Sequence, residues 1–248
     1  MRLFIDIDNT LIYSYRKEVK GEKICVEYIN GRIQSYMTTR TYDYFTNQNK
    51  YDIIPVSTRT LPQYSRLSEL TDKLGVRYAV VCNGGILLDR GEPDKTWLDE
   101  TYRLIGRTSH ELEKAAEFME KLSSREVHRT EGIMIYTVTD DPDYVKQQMK
   151  EKTKDSGLTV FSDNKKVYCV PSVINKGNAV KRCIERFGKS RSVSAGDGIQ
   201  DIPMLEAADI AIAEPHIFGI LQNSGKICGD TSEMFSDSVC DILEQKLK

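Results

Sequence analysis

Two aspartates follow the first apolar run of the chain, at the point where a buried strand would end. Residues 3–5 predict the strand, and Asp6 and Asp8 come directly after it with one residue between them. Residues two apart in a strand point to the same side, so both carboxylates are predicted to face one way. Adjacent carboxylates repel each other and are costly to desolvate unless a cation lies between them. The pair therefore indicates either a divalent cation site, for which magnesium is suited, or the start of a solvated loop.

A second acid pair lies far along the chain in the stretch GDGIQDIPML, residues 196–205. Asp197 and Asp201 are predicted to project from a turn in which Gly196 and Gly198 let the chain bend tightly after a strand. Asp201 alone is also explained as the N-cap of the helix that follows, with Pro203 in its first turn. That explanation does not apply to Asp197.

A lysine and a serine add two positions that suit an anion. Lys176 opens a predicted helix, where the helix dipole disfavours a cation unless an anion is nearby; the alternative is an ordinary solvated lysine. Ser57 ends the apolar run at residues 53–56, where a hydroxyl and the following amides could hold a phosphate oxygen. Each position alone is weak evidence for a functional site. Both acid pairs, the serine and the lysine, however, fall at strand ends or helix starts of one predicted sheet, which is hard to reach by chance.

The elements that must position these residues follow an alternating order. Strands alternate with helices on both sides of a central segment, which predicts an α/β fold with a parallel sheet covered on both faces. Asn30-Gly31 joins two strand-like runs and predicts a β-hairpin over residues 22–38. The central segment follows the order helix, two strands, helix, two strands, which predicts an inserted α+β domain. The predicted domains are residues 1–83 and 168–248 for the core and 84–167 for the insertion.

Composition excludes some classes of function. A formal net charge of -2, without a strongly basic run, disfavours a nucleic-acid partner. The first residues lack the pattern of a signal peptide, and no apolar stretch approaches the roughly 20 residues that span a bilayer, so a cytoplasmic protein without a membrane partner is expected. Dispersed cysteines without a CxxC pattern predict reduced thiols rather than a zinc site or a disulfide framework. The six are Cys25, Cys82, Cys169, Cys183, Cys228 and Cys240.

Four motifs of the chain, FIDIDNTL, VSTRT, NKGNAV and GDGIQDIPML, resemble the four motifs of the haloacid dehalogenase-like (HAD) superfamily of phosphohydrolases. The insertion between the second and third motifs resembles a cap of the C2 type in its B form, as in Cof-type, sucrose-phosphatase and mannosyl-3-phosphoglycerate phosphatase-like members. The resemblance implies a Rossmann-like core with an inserted cap. Cof-type proteins commonly have Thr-Gly-Arg in the second motif, where this chain has Ser57-Thr58-Arg59. Arg59 is expected either to reach substrate or to pair with an acid.

The resemblance also implies a role for each motif residue. Asp6 would be the nucleophile that forms an aspartyl-phosphate, and Asp8 would be the general acid and then the general base, with its backbone carbonyl reaching the metal. Ser57 and Lys176 would hold the phosphoryl oxygens. The metal would be Mg²⁺, and its implied ligand residues are Asp6, Asp8, Asp197 and Asp201.

The sequence thus predicts a magnesium-dependent phosphatase that acts on a small phosphorylated metabolite, with a sugar or glycosyl phosphate as the favoured class. Two alternatives stay open. A phosphosugar mutase would share the cap and both aspartates, and would be recognised by a stable phosphoenzyme and dependence on a bisphosphate. A catalytically idle protein that binds a phosphorylated ligand would show tight binding without turnover. The oligomeric state is not predicted.

Overall fold

The structure is a computed structural model that describes residues 1–230 and 232–247. The chain folds into two compact units. The core unit consists of Met1–Asp94 together with the described residues from Lys176 onward, and the inserted unit is Lys95–Asn175. Both boundaries fall later in the chain than the predicted 83/84 and 167/168.

Strand pairing explains the later boundaries. Ile86–Asp89 pairs antiparallel with Tyr78–Val81, so it stays with the core unit. Lys166–Pro171 pairs with Met134–Val138 and with Leu158–Asp163, so it stays with the inserted unit. A local pattern of strands and helices does not show which neighbour a strand will pair with.

The helices and strands follow in chain order. The first part of the core unit contains β1 (Arg2–Ile5), β2 (Tyr13–Ser14), β3 (Lys23–Ile29), β4 (Arg32–Thr38), α1 (Thr39–Asn47), β5 (Asp52–Pro55), α2 (Leu61–Ser65), α3 (Ser68–Lys73), β6 (Tyr78–Val81), β7 (Ile86–Asp89) and β8 (Glu92–Pro93). The inserted unit contains α4 (Lys95–Ile105), α5 (Ser109–Leu122), β9 (Val127–Thr130), β10 (Met134–Val138), α6 (Pro142–Lys152), β11 (Leu158–Asp163) and β12 (Lys166–Pro171). The second part of the core unit contains α7 (Lys176–Phe187), β13 (Ser192–Gly196), α8 (Ile202–Ala207), β14 (Ile210–Ala213), α9 (Pro215–Phe218), β15 (Lys226–Cys228) and α10 (Phe235–Gln245).

The main sheet of the core unit is parallel, with the strand order β15-β14-β13-β1-β5. Its strands are short apolar runs, and Leu3, Phe4 and Ile5 of β1 are fully buried. β1 and β13 lie side by side, with Ile5 opposite Ala195. The predicted α/β class is confirmed, and the carboxyl ends of β1 and β13 meet at the sheet edge where open α/β folds bind ligands.

The predicted hairpin is present as β3 and β4, which belong to a small antiparallel sheet with the order β2-β4-β3. Asn30 and Gly31 at its turn have φ angles of 50° and 72°, the left-handed conformation that an Asn-Gly turn supplies. Register shifts in β3 fall on both sides of Glu27, so this strand carries a β-bulge near its middle. The bulge matters for the site, because it changes the direction of the Glu27 side chain.

The inserted unit has an antiparallel sheet with the order β11-β12-β10-β9. Residues of α5 and α6, among them Met119 and Met149, form a buried cluster with apolar residues of this sheet. The sequence pattern predicts α5 and α6 but not α4, whose Trp97, Thr101 and Ile105 are buried at intervals of one helical turn. The pattern is concealed because Thr101 on the buried face is polar, whereas Leu98 and Leu104 lie off that face.

Two further expectations can be compared with the described residues. Within residues 1–230 and 232–247, no helix is long and apolar enough to cross a membrane. All six cysteines are free thiols, which agrees with the expectation of reduced cysteines.

Candidate active site

The two acid motifs meet at the ends of neighbouring strands. Asp6 directly follows β1, its backbone N–H donates to the carbonyl of Ala195 at 3.0 Å, and Asp197 directly follows β13. One carboxylate oxygen from each of Asp6, Asp197 and Asp201 lies within 4.8 Å of the others. The structure therefore brings together three of the predicted site residues, although they are far apart in the sequence.

Lys176 lies against this acid cluster. It is the first residue of α7 and only 2% exposed, and its Nζ lies 2.6 Å from Oδ1 of Asp6 and 2.5 Å from Oδ1 of Asp201. The sequence leaves a choice between a nearby anion and a solvated lysine. The structure selects the anion, which is supplied by the protein's own carboxylates.

Burial and like charges shift the pKa values of the cluster. Burial, followed by the charge of Asp201, raises the pKa of Asp6 well above its ordinary value, although Lys176 opposes the change. The same two causes raise the pKa of Asp197 to about 7, against a hydrogen bond from Thr10. Burial alone would lower the pKa of Lys176, but the charges of Asp201 and Asp6 raise it. One lysine thus faces three carboxylates, and the raised pKa values of Asp6 and Asp197 reflect an unneutralised surplus of negative charge.

That surplus fits a hard divalent cation. Converging carboxylate oxygens are the ligands that Mg²⁺ prefers, and the cluster offers three carboxylates for one cationic side chain. Asp6 and Asp197 would hold the ion, with Asp201 beside them. The donor set contains no cysteine or histidine, so it suits magnesium better than zinc.

The side chain of Asp201 lies directly against the backbone at Gly196, and this contact explains why the fourth motif has a glycine there. A Cβ atom at Gly196 would lie 2.5 Å from Cβ of Asp201. Neither Gly196 nor Gly198 has a positive φ, so the predicted reason, a tight turn, does not hold, and at Gly196 the reason is a lack of space for a side chain. The Gly198 N–H donates to Oδ2 of Asp201 at 2.8 Å, which orients that carboxylate towards the cluster.

Thr10 is a contact that the sequence analysis does not identify. It is fully buried, and its Oγ1 donates to Oδ1 of Asp197 at 2.8 Å. The bond fixes one oxygen of Asp197 and leaves the other for a ligand. A hydroxyl shortly after the first acid pair was the available signal, but its partner lies in a motif far along the chain.

The carboxylate of Asp8 has a different partner from that of Asp6. β1 ends at Ile5, so the strand alternation that predicts a common side does not extend to Asp8. Instead, Arg59 Nε donates to Oδ2 of Asp8 and Arg59 Nη2 donates to Oδ1, each at 2.8 Å. Arg59 thus pairs with an acid, the second of its two expected roles.

Ser57 lies at the same sheet edge. The Val56 N–H donates to the carbonyl of Ile5 at 2.9 Å, which extends the pairing of β5 with β1 up to Ser57. Ser57 is 1% exposed, and its Oγ accepts a hydrogen bond from the Arg59 N–H at 3.1 Å. Because Oγ is the acceptor in this bond, the hydroxyl keeps its own proton for donation, as a phosphate-binding role requires.

Comparison with known proteins gives a family and a fold. A sequence model of the haloacid dehalogenase-like hydrolases matches residues 92–214. No protein of curated function matches the sequence. The matched range contains the third and fourth motifs, and it confirms the resemblance of this part of the chain to the family.

Several solved structures share the fold over nearly the whole chain. The sucrose-phosphatase of Synechocystis sp. PCC6803, solved with sucrose and phosphate, is 15% identical with a TM-score of 0.65, over 98% of this chain and 96% of that one. The HAD subclass IIB sugar phosphatase BT4131 is 15% identical with a TM-score of 0.68, over 99% and 98%. TM0651 from Thermotoga maritima is 15% identical with a TM-score of 0.61, over 97% and 96%. At such identities the likeness concerns the fold.

Proposed function

We propose, from the match of residues 92–214 to the haloacid dehalogenase-like hydrolases, that the chain is a magnesium-dependent phosphatase that releases phosphate from a small phosphorylated metabolite. The observation that carries the proposal is the position of Asp6, a buried carboxylate at a strand end in contact with Lys176 and beside Asp197 and Asp201. This arrangement combines a nucleophile, a cation for the transferred group and a site for a divalent metal.

The proposed reaction has two steps. In the first, a carboxylate oxygen of Asp6 bonds to phosphorus while the bond from phosphorus to the leaving oxygen breaks, and that oxygen takes a proton from Asp8. In the second, water bonds to phosphorus and gives a proton to Asp8, while the bond from phosphorus to Asp6 breaks and releases phosphate. Each step replaces one bond to phosphorus by another, and Asp8 returns to its starting state.

Other residues of the site stabilise the charge on the transferred group. Lys176 Nζ and the Ser57 hydroxyl are assigned to the phosphoryl oxygens, where fixed donors are most useful in phosphoryl transfer. Asp197 and Asp201 are assigned to magnesium together with Asp6 and the backbone carbonyl of Asp8. When bound, the metal neutralises negative charge between the phosphoryl group and Asp6, which would otherwise repel each other.

The inserted unit supports a sugar phosphate as the substrate class. Its antiparallel sheet with helices on one face is proposed to be a cap of the C2B type. Two proteins with this overall fold are described as a sucrose-phosphatase bound to sucrose and phosphate and as a sugar phosphatase. We therefore extend the proposal to a sugar or glycosyl phosphate as substrate.

The test is phosphate release from a panel of phosphorylated metabolites, measured with Mg²⁺ and with excess EDTA. We expect release that requires Mg²⁺ and is lost in Asp6→Asn, because an amide oxygen is a poor nucleophile. Asp43→Asn, which changes an exposed aspartate of α1, is the matched control and is expected to retain activity. Equal release by the wild type and Asp6→Asn, or none from any compound, would contradict the proposal.

A further inference from the structure

Glu27 is a buried acid on the β3–β4 hairpin, outside the four motifs. Its side chain is fully buried, although most of β3 is partly or fully exposed. The bulge in β3 places Glu27 opposite Ser35 and turns its carboxylate inward, as bulges near functional sites often do. A buried carboxylate needs compensating partners, so the groups around Glu27 show what it does.

The carboxylate of Glu27 has partners on both oxygens. Arg59 Nη1 lies 3.0 Å from Oε1, and Arg59 Nη2 lies 3.1 Å from Oε2. Arg66 Nε donates to Oε1 at 2.7 Å, and Ser35 Oγ donates to Oε2 at 2.6 Å. Burial alone would raise the pKa of Glu27, but these partners lower it, so the group is an anion at neutral pH.

Arg59 joins Glu27 to Asp8. Its Nε and one N–H of Nη2 bind the two oxygens of Asp8, and the other N–H of Nη2 binds Glu27. One N–H of Nη1 binds Glu27 and the other binds the carbonyl of Gln63 at 3.2 Å. All five N–H groups of this guanidinium are therefore used, and Arg59 is only 8% exposed. The position of the Arg59 guanidinium is thus fixed jointly by Asp8, Glu27 and Gln63.

We infer that Glu27 is a positioning residue that acts through Arg59 to fix the orientation of the Asp8 carboxylate for proton transfer. The inference rests on the proposed phosphatase function, because the role of Asp8 belongs to that proposal. Asp8 itself is 43% exposed on its side chain, so packing alone does not fix its carboxylate. The parallel hydrogen bonds from Arg59 supply the missing constraint.

Removal of the Glu27 charge should release this constraint. Two N–H groups of a buried guanidinium would lose their anionic partner, and such a group moves to find others. Arg59 would then hold the Asp8 carboxylate less rigidly, and the proton would be delivered less efficiently to the leaving oxygen. A purely structural role for Glu27 would instead weaken the folded state without favouring one substrate over another.

The experiment compares kcat/KM for two aryl phosphates, which differ in one ring substituent, in the presence of Mg²⁺. p-Nitrophenyl phosphate has a leaving group that needs little protonation, whereas phenyl phosphate depends more on the acid. In Glu27→Gln we expect the ratio of kcat/KM for p-nitrophenyl phosphate to that for phenyl phosphate to rise about tenfold, a fraction of what general acid catalysis contributes. Glu27→Asp, which keeps the charge, should recover part of the wild-type ratio.

Two comparisons separate positioning from general damage. Glu69→Gln removes an exposed acid that pairs only with Lys73 among the described contacts, and it should leave the ratio unchanged. In an Asp8→Asn background, Glu27→Gln should not change the ratio further, because both substitutions remove one function. An equal loss on both substrates in Glu27→Gln, or additive effects in the double variant, would overturn the inference.

A second readout does not depend on turnover. The Arg59 Nε–H signal in a ¹H–¹⁵N spectrum, identified by its absence in Arg59→Lys, should exchange with solvent at least tenfold faster in Glu27→Gln and at the wild-type rate in Glu69→Gln. An unchanged exchange rate in Glu27→Gln would overturn the inference. If the wild type releases no phosphate while this signal responds as expected, the proposed function fails and the link from Glu27 to Arg59 holds.

Discussion

Lys176 and Glu27 show how single buried charges define the candidate site. Lys176 is a buried cation held by Asp6 and Asp201, and Glu27 is a buried anion held by Arg59 and Arg66. Each is tolerated in the interior because ionic partners replace the water that it loses. The substitution of either residue therefore leaves opposite charges unpaired, which makes the consequences measurable.

Replacement of Lys176 by methionine should destabilise the fold as well as abolish activity. The change leaves Asp6 and Asp201 without their cation, and breaking a buried pair in this way costs roughly 3–5 kcal/mol. We expect a lower free energy of unfolding in urea, partly restored by Mg²⁺. Lys73→Met removes an exposed lysine of α3 and should have little effect. A Lys176→Met protein as stable as the wild type would contradict the assigned pairing.

Glu27 should make stability depend on acid pH. Its partners hold its folded pKa below the ordinary value of 4.5, so its contribution is complete above that pH and is lost as the pH falls through the folded value. Urea midpoints measured over an acid pH series should therefore fall more steeply for the wild type than for Glu27→Gln. Glu69→Gln should keep the wild-type slope. Identical slopes for the wild type and Glu27→Gln would contradict this account.

At the level of elements, close packing of the third and fourth motifs positions their functional residues. α7 lies against α8, and a Cβ atom at Gly177 would lie 2.3 Å from the carbonyl oxygen of Pro203. Gly177 thus allows the first turn of α7 to approach α8 closely, and Lys176 is the neighbouring residue. The backbone contact between α7 and α8 thus helps to fix the position of the helix start.

Gly177→Ala should be destabilising, although alanine is the better helix former. The added methyl group has no space beside Pro203, and such overpacking typically costs about 1–3 kcal/mol. The activity should fall too, because Lys176 would move with the helix start. Gly219→Ala is the matched control, since a Cβ atom there meets nothing within 4 Å and its φ is ordinary. Equal urea midpoints for the two variants would contradict the close packing.

Helices and strands that are marked by a turn dipeptide or by a regular spacing of apolar residues could be predicted from the sequence, and the others could not. The Asn30-Gly31 turn identifies its hairpin because the turn itself requires positive φ angles. Apolar residues at helical spacing from Tyr64 to Leu74 suggest one continuous helix, but the structure has α2 and α3, with non-helical dihedral angles at Leu67 between them. β15, an edge strand of three residues, was not predicted because so short a run has no distinct pattern.

At the level of the whole molecule, the order of strands creates the site. β1 and β13 are neighbours in the sheet, so acids from the first and fourth motifs converge at one edge. The core unit alone contains every residue assigned to the chemistry. Metal binding should therefore stabilise the folded chain as a whole, because the acid cluster exists only when both parts of the core unit are assembled.

Magnesium should raise the thermal midpoint of the wild type. At a free concentration one hundred times its dissociation constant, a ligand that binds only the folded state adds about 2.7 kcal/mol of stability. We expect the increase to be reversed by EDTA and to be small in Asp197→Asn, measured by calorimetry at constant ionic strength. Asp43→Asn should behave like the wild type. The same increase in Asp197→Asn would show that Mg²⁺ binds elsewhere.

Apolar runs, turn dipeptides and motif spacing are local properties, so the fold class, the resemblance to a family and the residue types at the strand ends could be predicted without a structure. The ion pairs of Lys176 with Asp6 and Asp201, and of Glu27 with Arg59, became visible only in the folded structure. These contacts depend on strand order, on a bulge that redirects one side chain, and on backbone approach at glycines. Such features arise when distant segments pack together, and no local pattern of residues specifies them.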